Sequence, residues 1–432
     1  MEIKEFYENN PITDDSINDY IKNSKSGKFD KIISRDSQAN IIFKKYVGVI
    51  KSNDYVFTIL PKIWEGAEKG NYNLIYLFTY GLIPHSYIDK HADWFIDRNR
   101  DINILDFLMY LFSYSLKEEL AKGLYRQYVR TSDNSRYLRG RMDIARQVNK
   151  IDKSRFDQVY YQRTADNYLN NFLAYCNEYF MPKLTLEQAR SINRNISSIF
   201  NTELSRPYEH QIKNYTFNRL NERFEIPFNI ASIIMKYLCP SSYSGETSKI
   251  TSMFLFDMNW LFEKFIFNFL HEHKETIFSQ NQGINLKYQK SKYNFIYEEI
   301  KGEEQIKRKA IKSTKPDIII ENGNDNKIIL VMEIKYKEID KLEISAKEKK
   351  HVRERDLYQV FAYSELYGVD TILCYPYMKA DPVQIRGPFL FRENSNKKFW
   401  LMGVKLDFKD NWENRTIEGF KREFSKILNC NS

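Results

Sequence analysis

The chain has 432 residues, enough for two or three domains. With 42% hydrophobic and 15% aromatic residues it is too rich in core-forming side chains to be disordered, and its net charge of +9 favours a polyanionic partner. Four scattered cysteines without a C-x-x-C pair argue against a zinc knuckle or a disulfide framework. The charged start, Met1-Glu2-Ile3-Lys4-Glu5, is no signal peptide, and no apolar run approaches ~20 residues, so a cytoplasmic chain without membrane association is expected.

In chain order, residues 40–50 and 55–60 read as a pair of strands joined by Lys51-Ser52-Asn53-Asp54, with Pro61 as the stop. Helical patterns follow at 71–80 and 104–121. Residues 1–110 are therefore expected to form a β-rich domain that docks on a partner. Residues 111–248 are expected to be mainly helical, with helices at 166–180, 187–200 and 227–238. Tyr137-Leu138-Arg139-Gly140-Arg141-Met142 forms a strand or turn there, and the small polar stretch 241–248 reads as a linker. Residues 249–432 alternate between types: a helix at 253–270 carrying Glu263, strands at 285–289 and 295–299, a hairpin, a helix at 356–367, and strands at 371–375 and 398–408. The expected fold class is α+β multidomain, with an α/β C-terminal domain.

The hairpin carries the chemistry. Its arms are Lys315-Pro316-Asp317-Ile318-Ile319-Ile320 and Ile328-Ile329-Leu330-Val331-Met332-Glu333-Ile334-Lys335, around the turn Gly323-Asn324-Asp325-Asn326. Symmetry about Asp325 sets Ile320 opposite Leu330 and Asp317 opposite Glu333. The second arm is apolar on both faces, as a central strand should be. Lys335 projects from the same face as Glu333. Opposed carboxylates repel unless a cation lies between them. Mg²⁺ prefers carboxylates, carbonyls and water, and Asp317, Glu333 and the Ile334 carbonyl could supply that set. Such a metal acidifies water and polarises a phosphate, while Lys335 offsets the charge of the transition state. Gln359 and Tyr363 share a helical face, four residues apart. Lys309, Lys312, Lys315, Lys350, Arg353 and Arg355 are candidate phosphate contacts. There is no G-x-x-x-x-G-K-[ST], no G-x-S-x-G and no H-E-x-x-H, so any nucleotide hydrolysis belongs to another chain.

With Glu263, Asp317, Glu333, Lys335 and Gln359 in this order, the C-terminal part resembles the PD-(D/E)xK nuclease superfamily. Within it, the chain is similar to the McrC-type nuclease subunits of GTP-dependent, McrBC-like restriction systems. The similarity is carried by Tyr46-Val47-Gly48-Val49-Ile50, Ile59-Leu60-Pro61-Lys62-Ile63, Leu138-Arg139-Gly140-Arg141-Met142-Asp143, Asp257-Met258-Asn259-Trp260-Leu261-Phe262-Glu263, the hairpin, and Asp356-Leu357-Tyr358-Gln359-Val360-Phe361-Ala362-Tyr363. The resemblance implies an Mg²⁺-dependent DNA endonuclease, with Mn²⁺ as a possible substitute. It also implies docking on a McrB-like AAA+ GTPase hexamer, so that GTP acts only through that partner. By motif, Glu263 is the first-helix acid, Asp317 and Glu333 are metal ligands, Lys335 is the catalytic lysine, and Gln359 with Tyr363 supports the site. Two other readings are a non-cutting activator of the GTPase and a stand-alone PD-(D/E)xK repair nuclease. The intact acid–acid–lysine set disfavours the first, and the large half preceding the hairpin disfavours the second.

Overall fold

The structure, a computed structural model, describes residues 2–15, 17, 32–52, 55–65, 70–83, 102–200, 209–239, 250–279, 283–291, 293–301, 306–337, 339, 341–344, 352–393, 395–408 and 411–429. It is mixed α/β with several sheets. The chain forms two compact units that are discontinuous in sequence. One gathers residues 1–104, 242–250 and 255–432; the other holds 105–241 and 251–254. The expected linker at 241–248 lies outside the described residues.

In the first unit, β1 (Glu2–Tyr7), β2 (Tyr46–Ser52) and β3 (Tyr55–Leu60) form a sheet in the order β1-β3-β2. The stretch 40–50 is not one strand. Lys45 takes φ +59 and separates the short strand Ile41–Phe43 from β2. Pro61 ends β3, and α1 (Gly70–Leu82) follows. Residues 253–257, expected to begin a helix, instead end a strand, Ile250–Asp257. Asp257 is the reason: its side chain accepts from the Asn259 amide and caps α2 (Met258–Glu272), so the helix starts at Met258. Gly81 lets α1 and α2 approach closely, since a Cβ there would lie 3.2 Å from Leu261 Cδ1.

A six-stranded mixed sheet follows. It contains β4 (Ile284–Tyr288), β7 (Ile318–Asn322), β8 (Ile328–Ile334), β9 (Asp370–Pro376), β10 (Val383–Leu390) and β11 (Lys398–Val404), in the order β4-β7-β8-β9-β11-β10. β5 (Asn294–Lys301) and β6 (Ile306–Ser313) make a separate two-stranded ribbon, and the second of these strands was not expected. β8 and β9 are parallel and are joined through α3 (Glu354–Tyr367), as a parallel pair requires a crossover. α4 (Trp412–Asn429) closes the chain.

The two ends of the sequence share one core. Tyr80 of α1 lies 5.0 Å from Trp412, which in turn lies 4.6 Å from Phe408. Phe265 and Phe269 of α2 join this cluster. Trp64 donates its indole N–H to the Leu406 carbonyl at 2.7 Å, and the Phe408 amide donates to Asn73.

The second unit contains helices Tyr168–Phe180, Glu187–Ser197 and Glu225–Tyr237, all near their expected positions. It is not wholly helical. Gln127–Ser135 pairs along its length with Phe156–Thr164, and Arg141–Met142 adds a short third strand. Gln127–Ser135 is largely exposed, so the buried/exposed alternation that betrays a half-buried strand is absent.

Candidate active site

The register of the central hairpin is the one expected: Ile318 pairs with Met332 and Ile320 with Leu330, so the next step sets Asp317 against Glu333. Ile319 and Val331 lie two residues away on the same face and pack under Tyr363 and Tyr367 of α3. One turn earlier along α3, Gln359 reaches the acid: its Nε2 donates to Glu333 Oε1 at 2.6 Å and stands 3.2 Å from the Tyr363 hydroxyl. The crossover helix that covers the apolar part of this face thus also supplies an amide to its charged end.

Asp317 and Glu333 are both buried. The Ile334 amide donates to Asp317 Oδ2 at 2.7 Å, so this residue is tied to the site through its N–H. Lys335 Nζ forms an ion pair with Glu333 Oε1. The other oxygen, Glu333 Oε2, is buried and receives no N–H or O–H donor, and the Glu333 carboxyl lies against that of Asp317. Glu263 projects from α2 and accepts from Gln289 Nε2 at 2.9 Å and from the Tyr288 hydroxyl at 3.4 Å. The structure therefore brings Glu263, Asp317, Glu333, Lys335, Gln359 and Tyr363 into one cluster.

Its electrostatics follow from burial and like charge. Burial, then the Asp317 charge, lifts Glu333 to about 8 and Glu263 to about 7. Burial also raises Asp317, against the opposing effects of the Ile334 amide and Lys335. For Lys335, burial works against the charged form, but the Glu333, Asp317 and Asp356 carboxylates together outweigh it and the ammonium is held more firmly than usual. Three acids that resist full ionisation together, with a single firmly charged lysine among them, form a site short of positive charge.

The donor set suits a hard cation. Glu333 Oε2 is a buried acceptor with no protein donor, and a second carboxylate faces it. Among the described residues no three His, Cys, Asp or Glu side chains form a ready-made cage. Mg²⁺ binds through one or two carboxylates and completes its shell with water and substrate phosphate.

The candidate phosphate contacts fall into separate groups. Lys309 and Lys312 are exposed on β6, and Lys315 is exposed just before Pro316-Asp317. Arg353 and Arg355 are exposed at the start of α3, and Lys350 lies outside the described residues. Four supporting groups were not foreseen. Gln289 and Tyr288 hold Glu263. Glu8 accepts from the Tyr336 hydroxyl, one residue past Lys335. Asp356, buried at the start of α3, takes the Tyr375 hydroxyl at 3.0 Å and the Lys337 ammonium. Asp356 opens the stretch that carries Gln359 and Tyr363, but nothing in the sequence pairs Glu8 with Tyr336.

The profile of the family described as McrBC 5-methylcytosine restriction system component matches residues 41–376. No curated protein matches the sequence. A chain in the refined half-complex from a tetradecameric assembly of Thermococcus gammatolerans McrB AAA+ hexamers with bound McrC is similar over 98% of this chain and 100% of its own, at 20% identity and a TM-score of 0.63. A chain in the cryo-EM structure of the Thermococcus gammatolerans McrBC complex is similar over 63% of this chain and 88% of its own, at 24% identity and a TM-score of 0.48. Among the described residues no helix is long and apolar enough to cross a membrane.

Proposed function

This chain belongs to the McrBC 5-methylcytosine restriction system component family, and from that premise we propose that it is a McrC-type subunit, the DNA-cutting chain of a GTP-dependent restriction system, with a PD-(D/E)xK site. The observation that carries this reading is the buried pair Asp317 and Glu333, with Lys335 on Glu333 and one Glu333 oxygen left without a donor. Asp317, Glu333 and the Ile334 carbonyl would hold Mg²⁺ or Mn²⁺. When bound, the metal acidifies water and polarises the scissile phosphate. Lys335 keeps its proton and offsets negative charge as the phosphorus becomes five-coordinate. Gln359 fixes the rotamer of Glu333. Glu263, at about 7, is suited to exchanging a proton near neutral pH.

Cleavage of plasmid DNA by the chain with its AAA+ partner is expected to require Mg²⁺ and to stop in EDTA. Lys335→Ala should slow cutting by a factor on the order of a hundred or more, with GTP hydrolysis unchanged. Equal loss of both activities would make Lys335 an assembly residue, and the activator reading would replace this one.

A partner AAA+ GTPase, in the manner of the McrB hexamers of the similar complex, also has a candidate docking surface. Tyr128, Tyr137 and Tyr161 are 69%, 73% and 68% exposed, whereas among the described residues before 105 only Ile3 is a large exposed apolar side chain. On the strand pair Gln127–Ser135 and Phe156–Thr164, Tyr128 pairs with Arg163 and Arg130 with Tyr161. Both arginines are exposed and share this face with the tyrosines. Exposed Tyr and Arg are the residue types that dominate protein interfaces, so this surface is a second candidate for the contact beside residues 1–110. Replacing Tyr128 and Tyr161 together by Ala should weaken partner binding roughly a hundredfold or more. Unchanged binding would return the contact to residues 1–110.

A further inference from the structure

Successive side chains of a regular strand point to opposite faces, yet Tyr288 and Gln289 both reach the same oxygen, Glu263 Oε2. The backbone explains how. Gln289 takes φ +45, in the left-handed region that side-chain-bearing residues seldom adopt. Its amide still donates to the Asp317 carbonyl at 2.9 Å, so the β4–β7 ladder continues through it. Its side chain, turned out of the strand alternation, donates to Glu263 at 2.9 Å. One residue is thereby bonded to the main chain of the hairpin acid and to the side chain of the helix acid. Strained backbone of this kind persists where surrounding contacts impose it, and it concentrates at working sites.

We infer that Gln289 is a positioning residue for DNA cleavage: its left-handed turn fixes Glu263 relative to Asp317. The inference rests on the nuclease reading above. Gln289→Gly separates function from folding, because glycine adopts φ +45 without strain. The variant should melt at the same temperature as the parent chain or higher. It should keep the Mg²⁺-dependent rise in melting temperature, since Asp317 and Glu333 are untouched. On plasmid DNA with the AAA+ partner, GTP and Mg²⁺, its turnover should fall roughly ten- to a hundredfold with KM for DNA unchanged. Added to Glu263→Gln, it should slow cutting no further. Full turnover by Gln289→Gly while Glu263→Gln is impaired would overturn the positioning role and leave the nuclease reading intact, as would effects that multiply in the double variant. Full turnover by Glu263→Gln would remove the nuclease role of that acid, and the inference with it.

Discussion

Glu333→Gln is expected to abolish DNA cleavage and to stabilise the metal-free chain at alkaline pH. Loss of cutting follows from removing one of the two carboxylates available to the metal. The gain in stability follows from linkage. The Glu333 carboxyl titrates near 8 in the folded chain against 4.5 for the unperturbed group. Between those values the folded state binds more protons than the unfolded state, so stability falls as pH rises through that window. Below it, Glu333 is protonated in both states and glutamine is nearly isosteric with it. The variant should therefore melt with the parent near pH 4 and above it, by at least a few degrees, at pH 8.5. Mg²⁺ should reverse the order by stabilising the parent alone. A variant that melts below the parent at pH 8.5 without metal would contradict this account of the cluster.

A fragment beginning at residue 249 is expected not to fold, although it contains every proposed catalytic residue. Residues 1–104 cover much of the apolar surface around the site. Phe78 packs on Phe256 at 4.7 Å, Tyr76 on Phe408 at 6.1 Å, and Tyr80 on Phe265, Phe269 and Trp412. Leu261 meets Gly81. Each of the six side chains uncovered on the C-terminal part is worth about 1.5–3 kcal/mol when fully buried. Even partial exposure of six consumes most of the roughly 5–15 kcal/mol by which a domain is stable. The fragment should be insoluble or lack a cooperative melting transition. Metal-dependent nicking by a soluble, cooperatively melting fragment would show that the shared core is dispensable.

The sequence reveals what local chemistry governs. Turn residues around Asp325 and two β-branched arms determine the hairpin register, and the register sets the acids opposite each other. Helical spacing places Gln359 and Tyr363 together. Legibility fails where the pattern is ambiguous or the contact distant. Met253-Phe254-Leu255-Phe256 is continuously apolar, so it fits a buried strand as well as a helix, and the Asp257 cap decides between them. The strand pair at 127–135 and 156–164 displays polar and aromatic side chains to solvent and so lacks a core-facing stripe. The left-handed Gln289 has none of the Gly or Asn chemistry that announces such a turn. Glu8 and Tyr336 are 328 residues apart, and only the folded chain joins them.

The discontinuity of the first unit has a consequence for biosynthesis. Helix α1 leaves the ribosome long before α2, its packing partner, because residues 105–241 are made between them. At about 5–20 residues per second, the apolar face of α1 waits on the order of 10–35 s for its cover. The intervening unit can fold in that interval, since its own core is contiguous apart from a few residues. Glu263, Asp317, Glu333 and Lys335 are all translated after it. The nascent chain therefore exposes an aromatic helix that a chaperone can bind, and it cannot assemble its acidic cluster until the hairpin through Lys335 has followed.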